Sequence, residues 1–168
     1  MKLRRFDLLV GELFKKLEWI GIAAVLAMML VTVIDVVGAK VFLSPLNGAM
    51  EMISFGQIVA ISCVLAVGLL FGRHIDIELF VSWMSKSIQN HIHFLISIIG
   101  FIFFIILAWQ STIYGLSLQK AGEISSSAYI PLFPFAYVIA FCAAAASLYY
   151  LNEIFHYFAE RSARHGSH

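Results

Sequence analysis

Four long apolar runs separated by short polar links set the pattern of this chain: Leu17–Leu43, Glu51–Phe71, Ile92–Leu116 and Pro134–Phe158. Each reaches the roughly 20 residues a helix needs to cross the hydrocarbon core of a bilayer. The pattern predicts an all-α integral membrane protein with four transmembrane helices. The first link, Ser44-Pro45-Leu46-Asn47-Gly48, is built of turn formers. Pro131 and Pro134 lead into the fourth run, where proline suits the first turn of a helix.

Two shorter amphipathic stretches flank the spans and predict interfacial helices over 3–16 and 76–89. In the first, Leu3, Phe6, Leu9, Val10, Leu13 and Phe14 recur at helical spacing among Lys2, Arg4, Arg5, Lys15 and Lys16. The apolar run behind it is too long for the core of a secretory signal peptide, which favours an uncleaved span. In the second, Leu79, Phe80, Trp83, Met84 and Ile88 form a stripe, with Glu78, Ser82, Ser85, Lys86 and Gln89 elsewhere on the wheel. Trp83 suits headgroup depth and Lys86 the phosphates.

Composition agrees with this reading and narrows it. The chain is 61% hydrophobic and 12% charged, against about 25% charged for soluble domains. Without repeats or low-complexity tracts, residues 1–168 read as a single membrane domain. The formal net charge of +1 does not point to a nucleic acid, but the placement of the charges is informative. With both termini cytoplasmic, nine of the eleven Lys and Arg lie inside and only Lys40 and Lys120 face out.

Small residues predict how the spans meet. Gly56, Ala60, Gly68 and Gly72 share a stripe on the second run and end in a GxxxG, while Ala136, Ala140, Ala143, Ala144 and Ser147 give the fourth a similar face. The third run, with Phe94, Phe101, Phe103 and Phe104, suits lipid or a large partner. Cys63 and Cys142 lie deep in apolar runs with no metal-like spacing and read as inert small hydrophobes.

Ionisable residues inside spans are expensive and invite a role. Asp35 is expected to face another helix or a partner, and Lys40 to snorkel outward. Glu51 complements the dipole of the second helix at its start. The polar break Gly72-Arg73-His74-Ile75-Asp76 offers an Arg fork for lipid phosphate or carbonyls, with Asp76 to hold it. His74, His91, His93 and His156 fall on one predicted side and raise the alternative of a respiratory-complex anchor binding quinone or haem, although they sit at span edges. A small homodimeric proton-coupled exporter using Asp35 is a second alternative. No nucleophile–base pair, phosphate loop or catalytic carboxylate pair appears, so enzyme chemistry has no visible home. The repeats and interrupted helices of a self-sufficient carrier are also missing.

Three segments together carry a family resemblance: Ser44-Pro45-Leu46-Asn47-Gly48-Ala49-Met50-Glu51, then Gly72-Arg73-His74-Ile75-Asp76-Ile77-Glu78-Leu79-Phe80, then Gly122-Glu123-Ile124-Ser125-Ser126 leading to Ile130-Pro131. In this order they resemble the small membrane subunit (DctQ-like) of tripartite ATP-independent periplasmic (TRAP) transporters. Many relatives carry Trp after the proline, where this chain has Leu132 and Phe133. The resemblance implies a scaffold in the bacterial inner membrane, without a cofactor of its own. Its partners would be a large membrane subunit, which moves substrate and sodium, and a periplasmic substrate-binding protein. The cargo would be an organic acid such as a C4-dicarboxylate, a sialic acid or a sulfonate. It makes Glu51, Arg73, His74 and Asp76 candidate subunit or lipid contacts, beside Asp35, Trp83 and Lys86 from the pattern itself, and Gly122, Glu123 and Pro131 candidate periplasmic contacts, beside the outward-facing Lys120. Gly56, Ala60, Gly68, Gly72, Ala140 and Ala144 are the expected helix-packing positions.

Overall fold

The computed structural model describes the backbone of residues 2–72 and 86–165 and the side chains of residues 10–69, 92–155 and 157. Four helices stand out among these: α1 (Lys2–Val41), α2 (Ala49–Gly72), α3 (Lys86–Ala121) and α4 (Phe133–His165). Each contains a stretch long and apolar enough to cross a membrane, namely Val10–Val41, Ala49–Leu69, Ile92–Ala121 and Phe133–Phe155. Among the described residues there is no sheet, only one isolated bridge between Ile124 and Pro131.

Residues 3–16, expected as a separate interfacial helix, are the opening turns of α1 and run into the span without a break. The reason is packing. Val10, Phe14 and Leu17 turn inward onto Cys63, Ala66 and Val67 of α2 and Cys142, Ala145 and Tyr149 of α4. Apolar side chains that looked suited to a membrane surface instead complete the core. Of the second expected interfacial helix, residues 86–89 are the first turn of α3, and 76–85 lie outside the described residues.

Short links make antiparallel hairpins of α1 with α2 and of α3 with α4, and packing of α2 against α4 joins them into one bundle. Lipid tails are as apolar as leucine, so burial gives little drive for helices to associate inside a bilayer, and close van der Waals fit has to do it. α4 supplies that fit with Ala136, Ala140, Ala143, Ala145 and Ala146, all buried. A second cluster places Phe104 of α3 on Ala143 and Ala146. Phe103 next to it faces outward, so the phenylalanines of α3 divide between core and exterior.

Besides Gly56, where a Cβ would stand 2.5 Å from Met28 Cγ, close fits involve two glycines of α3 that the small-residue pattern did not single out. A Cβ on Gly100 of α3 would stand 2.6–2.8 Å from the ring of Tyr150, and one on Gly115 would stand 3.0–3.3 Å from the ring of Tyr137. α3 thus seats two tyrosine rings of α4 directly on its backbone. Six Ser and Thr hydroxyls inside the spans are satisfied within their own helices. Thr32, Ser54, Ser62, Ser97, Thr112 and Ser117 each donate to the carbonyl four residues back. The sulfurs of Cys63 and Cys142 stand 3.9 Å apart, buried and unbonded covalently, between α2 and α4.

Candidate functional site at the link end

The links 42–48 and 122–132 meet at one end of the bundle, and the densest polar network among the described residues lies between them. Its centre is Glu51. Gly48 occupies the cap position before α2, and its carbonyl accepts the first helical bond from Met52 N at 3.0 Å. This makes Glu51 the third helical residue, from which a glutamate ordinarily reaches back to its own cap. Here it reaches across to the other hairpin. Ser125 Oγ donates to Glu51 Oε2 at 2.6 Å, Ala128 N donates at 2.7 Å, and Ser127 N donates to both oxygens at 3.0 and 3.1 Å. Charged acceptors make shorter and stronger bonds than neutral ones, so this carboxylate fastens the second link to the start of α2.

The second link is shaped to present those donors. α3 ends in a Schellman motif: Gly122, at φ +64°, donates to Gln119 O, and Glu123 N donates to Leu118 O. The chain then doubles back, with Ser125 N donating to Ile130 O at 2.9 Å and Leu132 N donating to Glu123 O at 3.2 Å. Ser125 is 8% exposed, and its hydroxyl oxygen also accepts from Ile130 N at 3.3 Å. Tyr129 takes a left-handed φ of 54° at the turn. Gly48 matters on the facing link. Its φ is +80°, and a Cβ there would stand 2.7 Å from the Cβ of Ala128. Only glycine allows both that backbone conformation and that approach.

Asp35 belongs to the same end. Its Oδ1 accepts from Leu46 N at 2.9 Å and braces the first link from the last turns of α1. Below the links, Phe55 of α2 and Phe135 of α4 stack at 4.3 Å between centroids. Tyr137 Oη donates to Gln119 Oε1 at 3.0 Å. Chemically this end can hold two hairpins in register. Among the described residues no group of three or more His, Cys, Asp or Glu could hold a metal ion.

The structure distributes the sequence candidates unevenly. Asp35 and Glu51 come together at the link end, each bonded within the chain. Gly122, Glu123 and Pro131 are exposed on the second link, Lys120 is exposed in the last turn of α3, and Lys40 is exposed near the end of α1. Arg73, His74, Asp76 and Trp83 lie outside the described residues, as do the side chains of Lys86, His91 and His156. Of the packing positions, Gly56 receives Met28 of α1, and Ala60 and Ala140 are buried. Gly72 is the last residue of α2, Ala144 faces outward, and Gly68 has nothing within 4 Å of where a Cβ would be. Sequence reasoning missed Ser125, Ser127, Ala128 and Gly48 as partners. The available signal was a glutamate at the third helical position with no Ser or Thr cap to answer it.

No curated protein and no solved structure matches the chain. The family model described as "Tripartite ATP-independent periplasmic transporters, DctQ component" matches residues 28–160. That range takes in the second, third and fourth spans whole, the last 14 residues of the first, and both links. The family is not enzymatic, and it implies a large membrane component and a periplasmic binding component as partners. Membership sets aside the respiratory anchor and the lone exporter. With four candidate spans and a match over most of its length, the chain belongs to the DctQ component family of the TRAP transporters.

Proposed function

We propose that this chain is the static frame of its transporter, holding a large membrane component while that component moves solute. The observation that carries the reading is the Glu51 network, which joins the two hairpins into one body. A frame must resist relative movement of its helices. Charge-assisted bonds between links, glycine-seated rings and an alanine-lined core supply that resistance, and no part of the described bundle offers a polar path at mid-depth. The placement of Lys and Arg supports an orientation with the link end in the periplasm and both termini in the cytoplasm. In that orientation the opening turns of α1 and residues 76–89 lie at the cytoplasmic surface. Arg73, His74, Asp76, Trp83 and Lys86 there contact lipid or the large component. Lys120, Gly122, Glu123 and Pro131 face the binding component. The chain itself forms a single membrane domain, and it serves sodium-coupled uptake of an organic acid whose selectivity lies in the other two components.

Reconstitution tests this. Vesicles holding this chain and the large component, supplied with the loaded binding component and an inward sodium gradient, are expected to accumulate an organic acid from a panel of C4-dicarboxylates, sialic acids and sulfonates. The Glu51→Ala chain is expected to lower the yield of the membrane complex and the uptake rate, with solute affinity of the soluble component unchanged. Full uptake by the large component without this chain would refute the frame.

A further inference from the structure

An apolar groove of about 440 Å³ opens between α1 and α2, in the half of the bundle away from the links. Val25, Leu26, Val64 and Val67 wall it, Gly68 opens it, and Glu18 is the charged residue on its lining. Its size falls among ligand pockets, which run about 300–1,000 Å³, and far exceeds the voids that packed interiors tolerate. Apolar cavities stay dry, so an occupant made of hydrocarbon has to supply the missing contacts.

Depth and charge identify that occupant. At about 1.5 Å per residue, Glu18 lies roughly 35 Å along α1 from Val41, and Gly68 roughly 29 Å along α2 from Ala49. Both therefore reach the far boundary of a core about 30 Å thick. From that boundary the groove runs roughly 8–12 Å inward, to Leu26 and Cys63, deep enough for the upper part of an acyl chain. The Glu18 carboxylate stands exposed at the mouth, and Lys15, exposed on the same helix face one turn further out, stands at headgroup level. We infer that the groove seats one acyl chain of a phospholipid with an ammonium headgroup, Glu18 meeting the ammonium and Lys15 the phosphate. A phosphatidylethanolamine presents both charges in that order. A phosphatidylglycerol lacks the cation and brings only negative charge toward Glu18. Assigning the lipid to the cytoplasmic leaflet rests on the orientation proposed above; the headgroup chemistry does not.

The open space at Gly68 allows a clean test, because a Cβ there meets nothing within 4 Å and the residue lines the groove. The full chain, purified in mild detergent, is offered equal phosphatidylethanolamine and phosphatidylglycerol of matched acyl chains, and retained lipid is read by native mass spectrometry. One phosphatidylethanolamine per chain is expected, preferred about tenfold, a discrimination within reach of one charge-assisted pair. Glu18→Gln is expected to abolish the preference and Gly68→Phe the retention, each with wild-type helical circular dichroism. Val64→Trp, at a side chain already 61% exposed, is a second filler should Gly68→Phe fail to fold. Equal retention of the two lipids by the wild type, no retention, or undiminished lipid in the folded filler variant would overturn the assignment. A filler variant that keeps its lipid but no longer co-purifies with the large component would give the groove to a partner helix instead. None of these readouts depends on transport.

Discussion

Glu51 shows how a single residue's role depends on a partner far along the chain. Its sequence position already made it a helix-dipole residue, but its bonding partners lie 74 to 77 residues away. No local spacing encodes a contact of that kind. Replacing it with Gln keeps the shape and removes the charge, so the amides of Ser127 and Ala128 are expected to exchange faster with solvent water, as hydrogen–deuterium exchange can measure. Unchanged protection would mean that the carboxylate does not hold the link. Gly48→Ala tests the facing side. A left-handed residue with a Cβ costs about 1–2 kcal/mol, and the methyl would also meet Ala128. A lower thermal midpoint is expected, with the links loosened. The cysteines lie at the opposite extreme. The reading of Cys63 and Cys142 as small hydrophobes needs nothing beyond their runs, and both are fully buried. Neither is expected to react with a water-soluble maleimide in the folded chain, while both should label after unfolding.

At the scale of elements, the apolar runs and the links were readable because run length and turn chemistry are local properties. Which face of a helix meets which neighbour was less readable. The GxxxG of α2 pointed to close approach at Gly68, where the space is open; close approaches fall instead at Gly56 of the same helix, against Met28 of α1, and at Gly100 and Gly115 of α3, opposite tyrosine rings of α4. A glycine records that a side chain is missing; the ring that fills the space is encoded elsewhere. Two substitutions separate these cases. Gly100→Ala puts a methyl into Tyr150 and is expected to destabilise by about 1–3 kcal/mol, the usual cost of overpacking. Gly68→Ala meets open space and is expected to be neutral or to stabilise by up to about 1 kcal/mol through helix propensity. Denaturation of the detergent-solubilised chain with SDS compares them directly. α1 makes a related point: its opening turns read as a surface helix until Phe14 and Leu17 are placed against α2 and α4.

For the whole molecule, the four helices leave large apolar side chains exposed along α1 and α3, among them Trp19, Leu30, Phe103 and Trp109. Lipid and a larger membrane partner are the surroundings such surfaces need. The core is held by fit and the link end by charge, and together they make a body suited to stay still beside one that moves. Distance measurement tests that claim most directly. Spin labels at Asn47 and Ser126, one on each link, would report the separation of the two hairpins in the assembled transporter by double electron–electron resonance. A static frame gives one narrow distance distribution, unchanged by sodium and loaded binding component, and a broader one is expected in the Glu51→Ala chain. A distribution that shifts with sodium and solute would place part of the transport motion in this chain and contradict the static frame.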